Sequence, residues 1–355
     1  MAFKRLTTAV VTLPVFSPRC TWAFTVTELL IVISIIALIV ALILPAINTV
    51  RTRSRTLKCM ANHRTLAQAC NSYALSNAGK CVSPLTKPDL PIYEWTVVNG
   101  TPNPGSVMYK ADHAWVADFF PPYGSPKPYM VADSLSPTLR YETSRAIEEG
   151  KLYPYVGAVA AYASPNEPAN STPSGGGNDF RQRLRSYSLN SFVGVHVPED
   201  AQPSDQRFVD YAKVLGVPLE RFDTTSLSRI SQPSRTMLSI VEGDNPNCPG
   251  GSLKQGSNYG GWIIDPTEPA ANSNKRIWVD TPAMWNTKAI TLSYVDGSTE
   301  SYELKNTDLV DAFCTTPHDY QEPVPTGATF PPDWKWFRDR LLPGVIPNST
   351  LGFSE

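Results

Sequence analysis

Hydrophobic positions are spread unevenly along the chain. From Phe24 to Ile47 they run almost unbroken, FTVTELLIVISIIALIVALILPAI, and Glu28 is the one ionisable side chain in these twenty-four residues. At 1.5 Å per residue such a helix rises about 36 Å, enough to cross a hydrocarbon core of about 30 Å. A single segment satisfies its backbone amides in lipid only as a helix, so a transmembrane helix is predicted. From Asn48 to Asn77 there is no proline, glycine or acid, and Cys59, Leu66, Cys70 and Tyr73 recur at spacings of 7, 4 and 3. That spacing places them on one face of a continuing helix, expected to pack on a later sheet. Asn77-Ala78-Gly79 supplies its stop signal.

Past residue 80 the long periods disappear. Residues 80–180 are rich in Pro, Tyr, Ser and Asn, with Arg140 to Lys151 the best short helix. The stretch 164–179, SPNEPANSTPSGGGND, reads as a flexible loop around three adjacent glycines. Residues 182–197 and Thr236 to Val241 read as strands, and Ala289 to Leu304 as a hairpin turning at Asp296-Gly297. A two-residue turn sets Leu292 opposite Ser301. One more loop residue sets Leu292 opposite Tyr302 and Ile290 opposite Leu304, which suits a buried face better. The expected fold class is α+β: a long N-terminal transmembrane helix continuing into a stalk packed on an antiparallel sheet with long irregular insertions.

Charge divides the chain at the same place. Residues 24–88 carry seven Lys/Arg and one acid, whereas residues 89–355 carry 21 Lys/Arg and 31 Asp/Glu. A basic stalk thus precedes an acidic body, two parts suited to different environments. The formal charge of −1 over 355 residues argues against a nucleic-acid partner. Hydrophobic content of 42% is enough for a packed core, and 33 prolines require many extended segments. The cations Arg51, Arg53, Arg55, Lys58 and Arg64 form either a solvated helix face or a contact for anionic membrane lipid.

No catalytic constellation emerges. His63, His113, His196 and His318 lie far apart, and no P-loop, GxSxG or GxGxxG occurs. Six cysteines include no CxxC pair, so no zinc site is expected. In an oxidising exterior the pairs left open are Cys70 with Cys81 and Cys248 with Cys314. Gly243-Asp244-Asn245-Pro246-Asn247 offers several oxygen ligands without the alternation of a calcium loop, so no cofactor is expected and Ca²⁺ is the one alternative. Trp262, Trp278, Trp285, Trp334 and Trp336 are expected to be mostly core, with sugar or partner contact as the alternative for any that are exposed.

Phe24-Thr25-Val26-Thr27-Glu28-Leu29-Leu30 resembles the processing motif of type IV pilins and type II secretion pseudopilins. The residue before the cut is Ala23, where the family has glycine, and Thr27 replaces an aliphatic residue. By this resemblance a prepilin peptidase cuts between Ala23 and Phe24 and N-methylates the new amine. Glu28 would neutralise the amino terminus of an adjacent subunit, and Pro45 marks the usual helix kink. The stretch CMANHRTLAQACNSYALSNAGK is similar to one in large bacterial pseudopilin-like proteins, with His63 where asparagine is frequent. The hairpin resembles their C-terminal module, whose signature is His, nine residues, then Asp-Gly. Here Asn286 stands in the histidine position before Asp296 and Gly297.

The resemblance divides the chain into a leader (1–23), an assembly helix (24–47), a stalk (48–79) and an acidic extracytoplasmic body (80–355) with a signature hairpin at 286–304. It implies a non-enzymatic, single-pass subunit of the bacterial cytoplasmic membrane, N-terminus inside, assembled into a pilus or secretion pseudopilus. The implied partners are prepilin peptidase, other pilin-like subunits, an inner-membrane assembly platform and membrane lipid. The positive-inside pattern by itself would put the cluster after the apolar run in the cytoplasm instead. A second reading is a membrane-anchored extracytoplasmic binding module, with glycans as one ligand class.

Overall fold

The structure, a computed structural model, describes residues 25–84, 90–92, 96–98, 101–103, 108–110, 114–116, 119–120, 131–132, 140–141, 147–148, 150–166, 185–194, 206–242, 261–268, 277–283, 289–315, 318–320, 322 and 330–346. The chain forms two compact units, Met1–Thr52 and Arg53–Glu355. One helix, α1, runs from Val26 to Ser76. It ends as the sequence predicts: Ala78 and Gly79 adopt positive φ, and the Gly79 N–H donates to Ala74 O at 2.7 Å.

In the first unit the large apolar side chains of α1 from Val26 to Val50 are exposed on every side. A helix this apolar all round, with no protein covering it, has the length and composition to cross a membrane.

The second unit is built on a four-stranded antiparallel sheet. Its strands are β1 (Tyr187–Leu189), β2 (Met237–Val241), β3 (Ala289–Tyr294) and β4 (Thr299–Glu303), in the order β4-β3-β2-β1. The part of α1 from Cys59 onward covers one face. Cys59, Leu66, Ala67 and Cys70 pack with Tyr187, Leu189, Leu238 and Val241. The opposite face is buried as well. Met237, Ile240, Ile290, Leu292 and Tyr302 share a core with α2 (Gln206–Leu215), α3 (Asp308–Thr315) and α4 (Pro332–Leu341). A register shift places Ser293 opposite Ser239 and Tyr294 opposite Met237, so Leu238 is an extra residue in β2. This bulge lets Met237 and Ile240 reach one core while Leu238 and Val241 reach the other.

The hairpin turns at Asp296-Gly297, but in neither anticipated register. Leu292 faces Glu300 and Ile290 faces Tyr302. Val295, Asp296 and Gly297 form a three-residue loop. It is closed by the Tyr294 N–H donating to Ser298 O at 2.9 Å, with Gly297 at φ +91°. Both residues of the pair Ile290–Tyr302 lie in the core beneath α4, which decides the pairing. The expected helix from Arg140 to Lys151 is corrected. Arg140–Tyr141 is a strand paired with Val131–Ala132; helix is described only at 147–148, with a single turn following at Tyr153–Val156. Of the expected strand 182–197, Tyr187–Leu189 is strand. Of the predicted loop 164–179, residues 167–179 lie outside the described residues.

Candidate functional site

The start of α1 is closed by its own side chains. The Thr25 N–H and hydroxyl both donate to Glu28 Oε2, at 2.9 and 2.7 Å, and the Glu28 N–H donates to Thr25 Oγ1 at 3.2 Å. This reciprocal arrangement is a capping box: the first turn of a helix has unpaired N–H groups, and a Thr followed three residues later by Glu satisfies two of them. Glu28, which the apolar pattern leaves without a reason, therefore has one within its own chain. Both bonds fall on Oε2; among the described residues Oε1 has no partner, and the carboxylate is exposed. Farther along, Pro45 sits inside α1 and helix continues through it, although proline has no N–H to donate to the carbonyl four residues earlier.

Two further sequence-selected positions belong to the second unit. Asp296 and Gly297 form the hairpin tip, where Asp296 Oδ1 accepts the Ser298 N–H at 2.9 Å and its hydroxyl at 2.6 Å. That is a turn-forming role. Asn71 of α1 reaches the same loop, its Nδ2 donating to Val295 O at 3.1 Å. Ala23, Phe24, Asn286 and the 243–247 loop lie outside the described residues.

Sequence periodicity misses a polar seam between α1 and the sheet. Cys59 Sγ lies 2.9 Å from Thr291 Oγ1 and 3.2 Å from Tyr187 Oη. Asn62 Nδ2 donates to Ala163 O at 3.0 Å. His63 Nδ1 meets Ser239 Oγ at 2.7 Å, and that hydroxyl meets Ser293 Oγ at 2.6 Å. The His63 ring is fully buried, edge-on to Tyr187 at 4.6 Å, and its Nε2 has no hydrogen-bond partner. Burial pushes its pKa down to about 3, against a smaller opposing pull from the Thr291 backbone. A histidine–serine–serine chain resembles a catalytic relay in composition only, because this imidazole is sealed from solvent and held neutral. The one sequence signal for the seam is that positions 62 and 63 are polar yet fall on the buried face of α1.

A second buried polar cluster fixes α4. Asp333 accepts from Tyr302 Oη at 2.6 Å and from the backbone N–H groups of Lys305 and Asn306 at 2.9 and 2.7 Å. Glu322 accepts from Trp278 Nε1 at 3.1 Å and Asn306 Nδ2 at 3.3 Å. Burial, with the Asp333 charge adding to it, raises Glu322 to about 7. Trp262, Trp278 and Trp334 are fully buried, and half-buried Trp336 stacks on Tyr302 at 3.8 Å with the Arg340 guanidinium 3.6 Å from its ring. These four are therefore engaged in the core, and Trp285 lies outside the described residues.

Cys59, Cys70 and Cys81 are free thiols, which corrects the Cys70–Cys81 pairing. Burial raises both thiol pKa values, Cys81 to about 12, so the thiolate that disulfide exchange requires is scarce. Among the described residues no three His, Cys, Asp or Glu side chains lie close enough to share a metal ion. No family model, curated protein or solved structure matches the chain.

Proposed function

We propose that the chain is a pilin-like or pseudopilin-like structural subunit. It is cut before Phe24, held in the bacterial cytoplasmic membrane by α1 with its body outside, and assembled through the apolar helix into an envelope fibre. The observation that carries this reading is the start of α1. The motif Phe24-Thr25-Val26-Thr27-Glu28 opens an apolar helix exposed on every side, and one oxygen of its only carboxylate has no partner among the described residues. A cut before Phe24 leaves the capping box whole and creates an amine four residues from Glu28. Oε1 is then free to meet the amine of a neighbouring copy, where a buried charge would otherwise be costly. Intact-mass measurement and N-terminal sequencing of the membrane-extracted protein test this directly. A chain beginning at methylated Phe24 is expected; one beginning at Met1, or trimmed elsewhere, overturns it.

One observation favours a second reading, a membrane-anchored binding module. Because the capping box already employs Glu28, a passive anchor needs no partner subunit to explain it. Glu28→Gln separates the two, since glutamine serves at the same capping position but carries no charge. A subunit should remain in the membrane yet fall at least ~10-fold in fibre incorporation, the effect of losing about 1.4 kcal/mol of ion pairing. Incorporation at the wild-type level would favour the anchor. Pull-down of incorporated subunits by an epitope on a wild-type copy gives the readout.

A further inference from the structure

We propose that Arg51, Arg53, Arg55 and Lys58 form a cationic collar that binds anionic phospholipid headgroups. It rests on the reading of the apolar segment as membrane-spanning. All four side chains are exposed, and none has an ion-pair partner among the described residues. No acid occurs between Glu28 and Asp89, so the sequence offers no local counter-charge. Burial along α1 begins at Cys59, directly after Lys58, so the body does not use these side chains for packing.

Helix geometry distributes the charges suitably. At 100° per residue Arg51, Arg55 and Lys58 follow one side at i, i+4 and i+7, and Arg53 points to the other. Three of the charges therefore line one side of the helix and the fourth extends the cationic surface to the far side. Val26 to Val50 rises about 37 Å, and the four cations occupy the next ~10 Å. A headgroup layer extends roughly 5–8 Å beyond the hydrocarbon on each side, within reach of these long side chains. Their partner is thus a surface carrying phosphate charge at the depth where the apolar run ends. The binding is worth about fivefold per cation near such a surface and weakens with salt.

The test uses the full chain reconstituted into phosphatidylcholine vesicles and into mixed phosphatidylcholine–phosphatidylglycerol vesicles. Resistance to alkaline carbonate extraction reads membrane insertion, and mass spectrometry of co-extracted lipid reads headgroup preference. The wild-type chain should resist extraction from both vesicle types and carry phosphatidylglycerol enriched at least ~5-fold over the bulk. The R51Q/R53Q/R55Q/K58Q variant should resist extraction equally while its lipid returns to the bulk ratio, and high salt should do the same to the wild type. Equal enrichment in both chains, or none in the wild type, overturns the collar. Loss of the wild-type chain to carbonate is a different result: it overturns the membrane-spanning reading and the collar with it.

Discussion

His63 is a residue whose buried environment disfavours protonation in the folded state. Its ring is sealed between α1 and the sheet, with Ser239 on one nitrogen and Tyr187 edge-on. Its folded-state pKa, about 3, lies below the ordinary 6.5. A group with a depressed folded value contributes stability that is present above the unfolded pKa and lost as pH falls through the window toward the folded one. The window here is roughly pH 6.5 to 3, and the loss approaches about 1.4 kcal/mol per pH unit while only the unfolded state binds the proton. His63→Asn retains a polar partner for Ser239 and removes the titration. Its denaturant midpoint should therefore fall less steeply than the wild type's between about pH 6 and pH 4. Parallel slopes would show that acid sensitivity resides elsewhere. Glu28 teaches a related lesson at the other end of the helix. The same residue looks unexplained in a hydropathy pattern and ordinary in a capping box, because only the second considers the orphan N–H groups of the first turn.

At the scale of elements, α1 is the part most legible in the sequence. Its apolar run, buried stripe and glycine stop each follow from a single local pattern, and Cys59, Leu66 and Cys70 are buried as their spacing requires. The hairpin shows where local pattern gives out. Asp296-Gly297 identifies the turn, but the three-residue loop and the pairing of Ile290 with Tyr302 depend on the core on which α4 packs. That second layer was not legible, since α4, PDWKWFRDRL, is strongly charged and shows its role only through Trp334, Phe337 and Leu341. Nor does sequence disclose that Arg140–Tyr141 pairs as strand, because a two-residue bridge has no period to detect. The junction between α4 and the sheet carries its own pH dependence. Glu322 is raised from its ordinary 4.5 to about 7, so its contribution is full below about pH 4.5 and lost as pH rises through 7. Glu322→Gln keeps an acceptor for Trp278 and should flatten the stability loss between about pH 5 and pH 8, measured as Tm against pH. A wild-type Tm that does not decline across that interval would contradict the raised value.

For the whole molecule, the charges on either side of the apolar run pull against the proposed topology. Three cations precede it, at Lys4, Arg5 and Arg19, and four follow within eleven residues of Ile47, at Arg51, Arg53, Arg55 and Lys58. The statistical rule would hold the larger cluster, and the body with it, in the cytoplasm. Fibre assembly requires the reverse, and engagement of the collar with headgroups offers those cations a favourable place in either leaflet. The acidic body, with 31 Asp/Glu against 21 Lys/Arg over residues 89–355, does not settle the matter, since acids contribute little to orientation. Protease added to intact spheroplasts decides between them. If the body is outside, it should be digested without lysis, leaving a membrane-protected fragment that contains the apolar part of α1. If the body survives until the membrane is broken, the charge rule has prevailed. Glu28 would then cap a plain anchor whose body faces the cytoplasm, and neither extracellular assembly nor an external ligand could follow.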